Sequence, residues 1–178
     1  MLARRIGRNE LDVIDVMLAI VDAQREYASV DRDRNGALEY ARKFASSAGK
    51  HDGLFWPVKA GEAPSPLGPL VTRAAGEGYT KGKDRGPTPY HGYFFRMLKG
   101  QGPGAAGGAL DYILKGRMIG GFAAIAYPAK HGSSGVMSFI VNHDGVVYQK
   151  DLGPQTATKA AAITRFDPSE GWTAVPAK

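Results

Sequence analysis

Residues 121–150 read GFAAIAYPAKHGSSGVMSFIVNHDGVVYQK, and the spacing of their apolar runs decides the fold class. GFAAIAY (121–127), VMSFIV (136–141) and VVYQK (146–150) are short and rich in β-branched and aromatic residues, and turn-forming residues bound each of them. PAKHGSSG joins the first two as a short loop, and NHDG makes a tight hairpin between the last two. Three consecutive strands with such connections predict an antiparallel meander. YFFRML (93–98) has the same character and is expected to join the sheet across the insert KGQGPGAAGGALDYILKGRMIG.

Upstream the apolar period changes from two to 3.6. Val13, Ile14, Val16, Met17, Leu18, Ile20 and Val21 cover more than half of a helix running from about residue 10 to 28, with Asn9 as its cap and Asp12 near its positive end. LEYARKFASS predicts a second helix ended by Gly49, and Ser65 with Pro66 opens a short one through Ala75. TATKAAAIT (156–164) predicts a last helix, and FDPSEGW (166–172) a capped turn. Phe55, Trp56 and Tyr79 are expected to pin the intervening coil to the body. The fold class is therefore α+β, a long N-terminal helix packed on an antiparallel β-meander with Gly/Pro-rich loops. Residues 1–9 read as a linker and 10–178 as one domain, divided into a helical part (10–48), a loop-rich connector (49–90) and the sheet with its C-terminal helix (91–178).

The 178 residues carry 24 glycines and 11 prolines, most of them between Gly49 and Gly121, which predicts long loops around a small regular core. The chain has no cysteine, which excludes disulfides, thiolate nucleophiles and thiolate metal sites. The net charge of +6 is spread along the chain, while Asp12, Asp15, Asp22 and Glu26 crowd one helix, so nucleic acid is not the expected partner. No apolar stretch is long enough to span a bilayer.

DRDRNGALE (31–39) is the one segment where ligand chemistry is written locally. Asp31, Asp33 and Asn35 fall at alternating positions of a calcium loop. Gly36 permits the turn, Ala37 offers a carbonyl and Glu39 a further carboxylate. The bidentate glutamate that closes such a loop is replaced by Arg42, so any calcium site is weak unless an outside acid such as Asp52 completes it. The competing reading is an acidic Asx-turn in which Asp31 binds backbone amides and Asn35 and Gly36 take left-handed conformations. No cofactor is required by either.

The histidines at 51, 91, 131 and 143 have no zinc-pair spacing. His91 in PYHGYFF opens a strand, and with Asp84 or Asp111 it is the candidate acid–base group of a site assembled across loops. HGSSGV lacks the context of a nucleophile elbow, and GPGAAGG lacks the lysine of a phosphate loop.

Several long strings together carry a resemblance. RRIGRNELDVI, DAQREYA, DRDRNG, SPLGPLV, PYHGYFFRML, GGFAAIAYPA, GVMSFIVNHDGVVYQKDLG and FDPSEGW resemble a bacterial exported family known only as a domain of unknown function, number 2950. The resemblance runs over nearly the whole chain. It implies an export signal and a separate N-terminal region preceding this C-terminal domain in a longer protein, and hence a periplasmic or extracellular location. The order of helix, glycine-rich connector and meander is also similar to the globular heads of type IV pilins and pseudopilins, although the apolar stem of those proteins is missing from this helix. The resulting expectation is a non-catalytic extracytoplasmic binding or scaffolding domain. Its partners would be the N-terminal region of the same protein and another envelope protein. The alternative is a cell-envelope hydrolase or saccharide-processing enzyme using His91 with Asp84 or Asp111.

Overall fold

The computed structural model describes residues 1–32, 34–76 and 88–177. In chain order the elements are α1 (Leu2–Ala28), α2 (Gly68–Gly76), β1 (Tyr93–Leu98), β2 (Gly100–Gln101), β3 (Leu110–Asp111), β4 (Ile113–Leu114), β5 (Arg117–Met118), β6 (Ala123–Pro128), β7 (Met137–Asn142), β8 (Tyr148–Asp151), α3 (Thr156–Ala162) and β9 (Thr173–Ala174). One five-stranded sheet in the order β1-β6-β7-β8-β9 is antiparallel throughout, and β2-β3 and β4-β5 form two small ribbons beside it. The class is α+β, with the expected meander of β6, β7 and β8 and with β1 added at its edge.

The register explains the composition of the central strands. Residues directly opposite each other share a face, so Met97, Ala124 and Val141 lie on one side and Arg96, Ile125, Ile140 and Tyr148 on the other. Helix α1 packs on β6 and β7, and α3 packs on β6. Gln24 of α1 reaches the sulfur of Met97, whereas Arg96 donates to the carbonyls of Ala160 in α3 at 2.6 Å and of Ile163 just after it at 2.7 Å. The two helices therefore cover opposite faces of the sheet. That is why Ala123, Ala124, Ile125 and Ala126 are all buried: a strand covered on both sides reads as a continuous apolar run. The alanines facing α1 also let a long helix approach the sheet closely.

Helix α1 begins at Leu2, not after a cap at Asn9. Asn9 lies inside the helix and donates to the Ser134 carbonyl at 2.8 Å, while Glu10 accepts the amides of Val136 and Met137 at 2.9 and 3.0 Å. These polar residues clamp the entry to β7, ahead of Phe139, where its pairing with β6 ends. The second helix expected over 38–47 is absent. That stretch is irregular, with bends at 42–44, Ala45 bridged to Phe55 and the Ser46 amide donating to the Phe55 carbonyl at 2.8 Å. Its backbone is tied instead to Gln24 and Met118, and tertiary bonds override a modest helix propensity. The Ser65 hydroxyl is buried without a partner and caps nothing. Tyr79 lies outside the described residues, whereas Phe55 and Trp56 pack on the core as expected.

Candidate functional site

The C-terminal end of α1, the irregular segment after it and the β4-β5 ribbon enclose a polar cleft of about 320 Å³. Its walls are Tyr27, Glu39, Tyr40, Arg42, Lys43, Asp52 and Lys99, and Ile113 with Met118 supplies an apolar part. The segment is held in place by short backbone bonds. Tyr40 donates its amide to the Met118 carbonyl at 2.8 Å, and Ala41 exchanges two bonds with the Gln24 side chain. The Tyr40 ring also meets Phe122 edge-on at 4.9 Å. Tyr27 is fixed by donating its hydroxyl to the His51 carbonyl at 2.8 Å. Such anchoring gives the cleft a preformed wall although it lies on loops.

The charges in the cleft are unevenly satisfied. Lys43 and Asp52 pair at 2.9 Å, and Asp52 also accepts the Ser47 amide at 2.7 Å. The Lys43 ammonium, followed by the Ser47 amide, holds the Asp52 carboxyl well below the usual carboxylate range. Glu39 accepts the Asn35 side-chain amide at 2.8 Å. Arg42 and Lys99 form no salt bridge among the described residues.

The calcium-like string forms a turn closed on itself. Both oxygens of Asp31 accept backbone amides, from Asn35 at 3.1 Å and Gly36 at 2.8 Å, and the Asn35 side-chain oxygen accepts the Ala37 amide at 3.0 Å. The positive φ angles fall on Arg34 and Gly36, not on Asn35 and Gly36 as the turn reading supposed. Arg32 anchors the turn by lying over the rings of Tyr27 and Trp56, and Trp56 stacks in turn on His51 at 4.2 Å. Asp52 serves Lys43 and Ser47. Asp33 lies outside the described residues, and among those described no three potential metal-ligating side chains cluster.

Of the three candidate acid–base residues, His91 and Asp111 are described, and each has a partner outside that set. His91 sits 3.2 Å from Asp12 of α1, a partner that sequence distance concealed. Asp111 is engaged by Arg165, and no hydrogen bond or ion pair joins it to His91. Asp84 lies outside the described residues. His91 has a structural task of its own: with φ of 48° and 76°, His91 and Gly92 form a two-residue turn between Tyr90 and Tyr93, which exchange backbone bonds of 2.9 Å. The aromatic-X-Gly-aromatic string was the available signal for it. A second pair, His131 with Asp151 at 2.8 Å, joins the β6–β7 loop to the end of β8, and the Gly153 amide and His131 lower the Asp151 carboxyl pKa.

A second, larger cavity of about 490 Å³ is lined by Phe44, Phe55, Leu67, Leu70, Val71 and Tyr90 among others. It is apolar and contains none of the candidate catalytic groups. Among the described residues no helix is long and apolar enough to cross a membrane.

Comparison with known proteins adds one match: the profile of the family described as Protein of unknown function (DUF2950) aligns with residues 1–175. No curated protein and no solved structure matches.

Proposed function

Because the chain belongs to the DUF2950 family, whose description carries no activity, we propose from its own geometry that it is a non-catalytic binding domain working outside the cytoplasm, with the polar cleft as its ligand site. The observation that supports this reading is the fate of the acid–base groups. His91 is committed to a turn and to Asp12, and Asp111 to Arg165. In the cleft, the carboxylate beside Lys43 is ionised throughout the physiological range and is a poor proton acceptor. The cleft is therefore better suited to holding a ligand than to moving its protons. Its position on the loops beyond α1 leaves the sheet free to act as a rigid support. The partners proposed are an N-terminal region of the same protein and a further envelope component. The likeness to pilin and pseudopilin heads rests on element order.

The test is a panel of envelope-derived glycans and peptidoglycan fragments, followed by ligand-observed magnetic resonance for binding and mass spectrometry for turnover. Binding without chemical change is expected. Turnover that disappears in His91→Ala, with the circular dichroism spectrum intact, would establish the hydrolase alternative instead.

A further inference from the structure

We propose that the cleft selects a small, hydroxylated, ring-sized ligand bearing one carboxylate or phosphate group, which Arg42 and Lys99 hold. The inference rests on the binding reading above and adds the chemistry of the ligand.

The charge pattern carries the argument. Of the three cations lining the cleft, Lys43 is neutralised by Asp52 at 2.9 Å, leaving Arg42 and Lys99 without a counter-ion among the described residues. Glu39 is the remaining acid, and one of its oxygens is already occupied by Asn35. Two unpaired cations against one partly satisfied carboxylate leave the cleft net positive, and concave walls of low dielectric concentrate that potential. The planar fork of an arginine matches the paired oxygens of a carboxylate or phosphate, and a lysine adds a point charge.

The rest of the lining describes the ligand body. A volume of about 320 Å³ stands at the lower end of small-molecule sites, which suits one ring rather than a polymer strand. The free acceptor capacity of Glu39 and Asp52 calls for ligand hydroxyl donors, and the Tyr40 hydroxyl can give or take a hydrogen bond. Ile113, Met118 and the Tyr40 ring supply an apolar surface for the face of a ring. A sugar acid or a sugar phosphate combines these properties.

The experiment titrates the full chain with galacturonate, glucose 6-phosphate and neutral galactose, following heat and the backbone resonances of the cleft, with recovered ligand checked by mass. At least one anion should bind at millimolar concentration or better, with galactose about tenfold weaker or more, and the stronger anion identifies carboxylate or phosphate as the preferred group. Arg42→Gln and Lys99→Gln alter exposed side chains and should each weaken that binding about tenfold, whereas Lys59→Gln should not. Binding should also weaken as salt is added. Equal affinity for galactose, no binding of either anion, or indifference to both cleft variants would overturn the anionic assignment while leaving a binding domain intact. Chemical conversion of a probe would instead overturn the non-catalytic reading on which it rests.

Discussion

Gln24 and Ala41 bond as two residues of a sheet would. The Gln24 amide donates to the Ala41 carbonyl at 2.8 Å, and the Ala41 amide donates back to the Gln24 side-chain oxygen at 2.8 Å. Both residues are buried, at 1 % exposure each, so a helix side chain satisfies a strand-like backbone that has no neighbouring strand there. This pair sets where the segment carrying Tyr40 and Arg42 lies, and so links the core to the cleft.

Gln24→Ala leaves a buried donor and a buried acceptor unpaired. The expected cost is about 2–4 kcal/mol in urea unfolding. Cleft resonances, including those of Tyr40 and Arg42, should broaden or shift even under native conditions. Unchanged stability would show that water replaces both bonds freely.

The ribbon beneath the cleft gives a prediction of opposite sign. Lys115 and Gly116 occupy the two-residue loop between Leu114 and Arg117 with φ of 50° and 78°. Both positions demand a left-handed backbone, which asparagine tolerates better than lysine. Lys115→Asn is expected to stabilise the chain by about 0.5–1 kcal/mol, and Gly116→Ala to destabilise it by about 1 kcal/mol, in the same unfolding assay.

These contrasts show which parts of the structure the sequence made legible. The meander was readable because strand period, loop length and turn residues agreed with one another at residues 121–150. The start of α1 was not, since Asn9 has the chemistry of a cap and only the proximity of Ser134 shows it serving another loop. Residues 38–47 carry a helical pattern, yet Gln24, Phe55 and Met118 claim their backbone through contacts that local propensity does not encode. The cleft was hidden for a related reason. Tyr27, Arg42, Asp52, Lys99 and Met118 come from separate segments, and none has a motif. In the sequence Arg42 has no feature beyond standing where a calcium loop needs a glutamate.

Acid should weaken the loop that carries Lys43. The Asp52 carboxyl is held below its ordinary value of 3.8, first by the Lys43 ammonium and then by the Ser47 amide. A depressed folded-state pKa contributes stability above the unfolded value and loses it as pH falls through the folded one. Asp52→Asn should therefore be less stable than the parent at about pH 6, and the gap should narrow as pH falls from about 4 towards 2. Urea midpoints for the two proteins across that range provide the measurement. A gap independent of pH would assign the effect to packing. Asp167, lowered first by the Ser169 hydroxyl, contributes in the same direction in both proteins and cancels in the comparison.

The acidic turn at 31–36 yields the last expectation, which concerns calcium. A bound calcium ion would need oxygens from Asp31, Asn35 and Glu39 directed at a common centre. In the folded chain those groups face their own loop: Asp31 receives the amides of Asn35 and Gly36, Asn35 receives that of Ala37, and Glu39 receives the Asn35 side-chain amide. Ligation would break or weaken these bonds, and Arg42 stands where a complete loop supplies its two strongest oxygens. Calorimetric titration with millimolar calcium is therefore expected to give no saturable heat. Asp31→Ala should nevertheless destabilise the chain by about 1–2 kcal/mol, because two amides lose a charged acceptor. A saturable calcium signal that vanishes in Asp31→Ala would show that the loop reopens around the ion, and that the sequence pattern outweighs its resting hydrogen bonds.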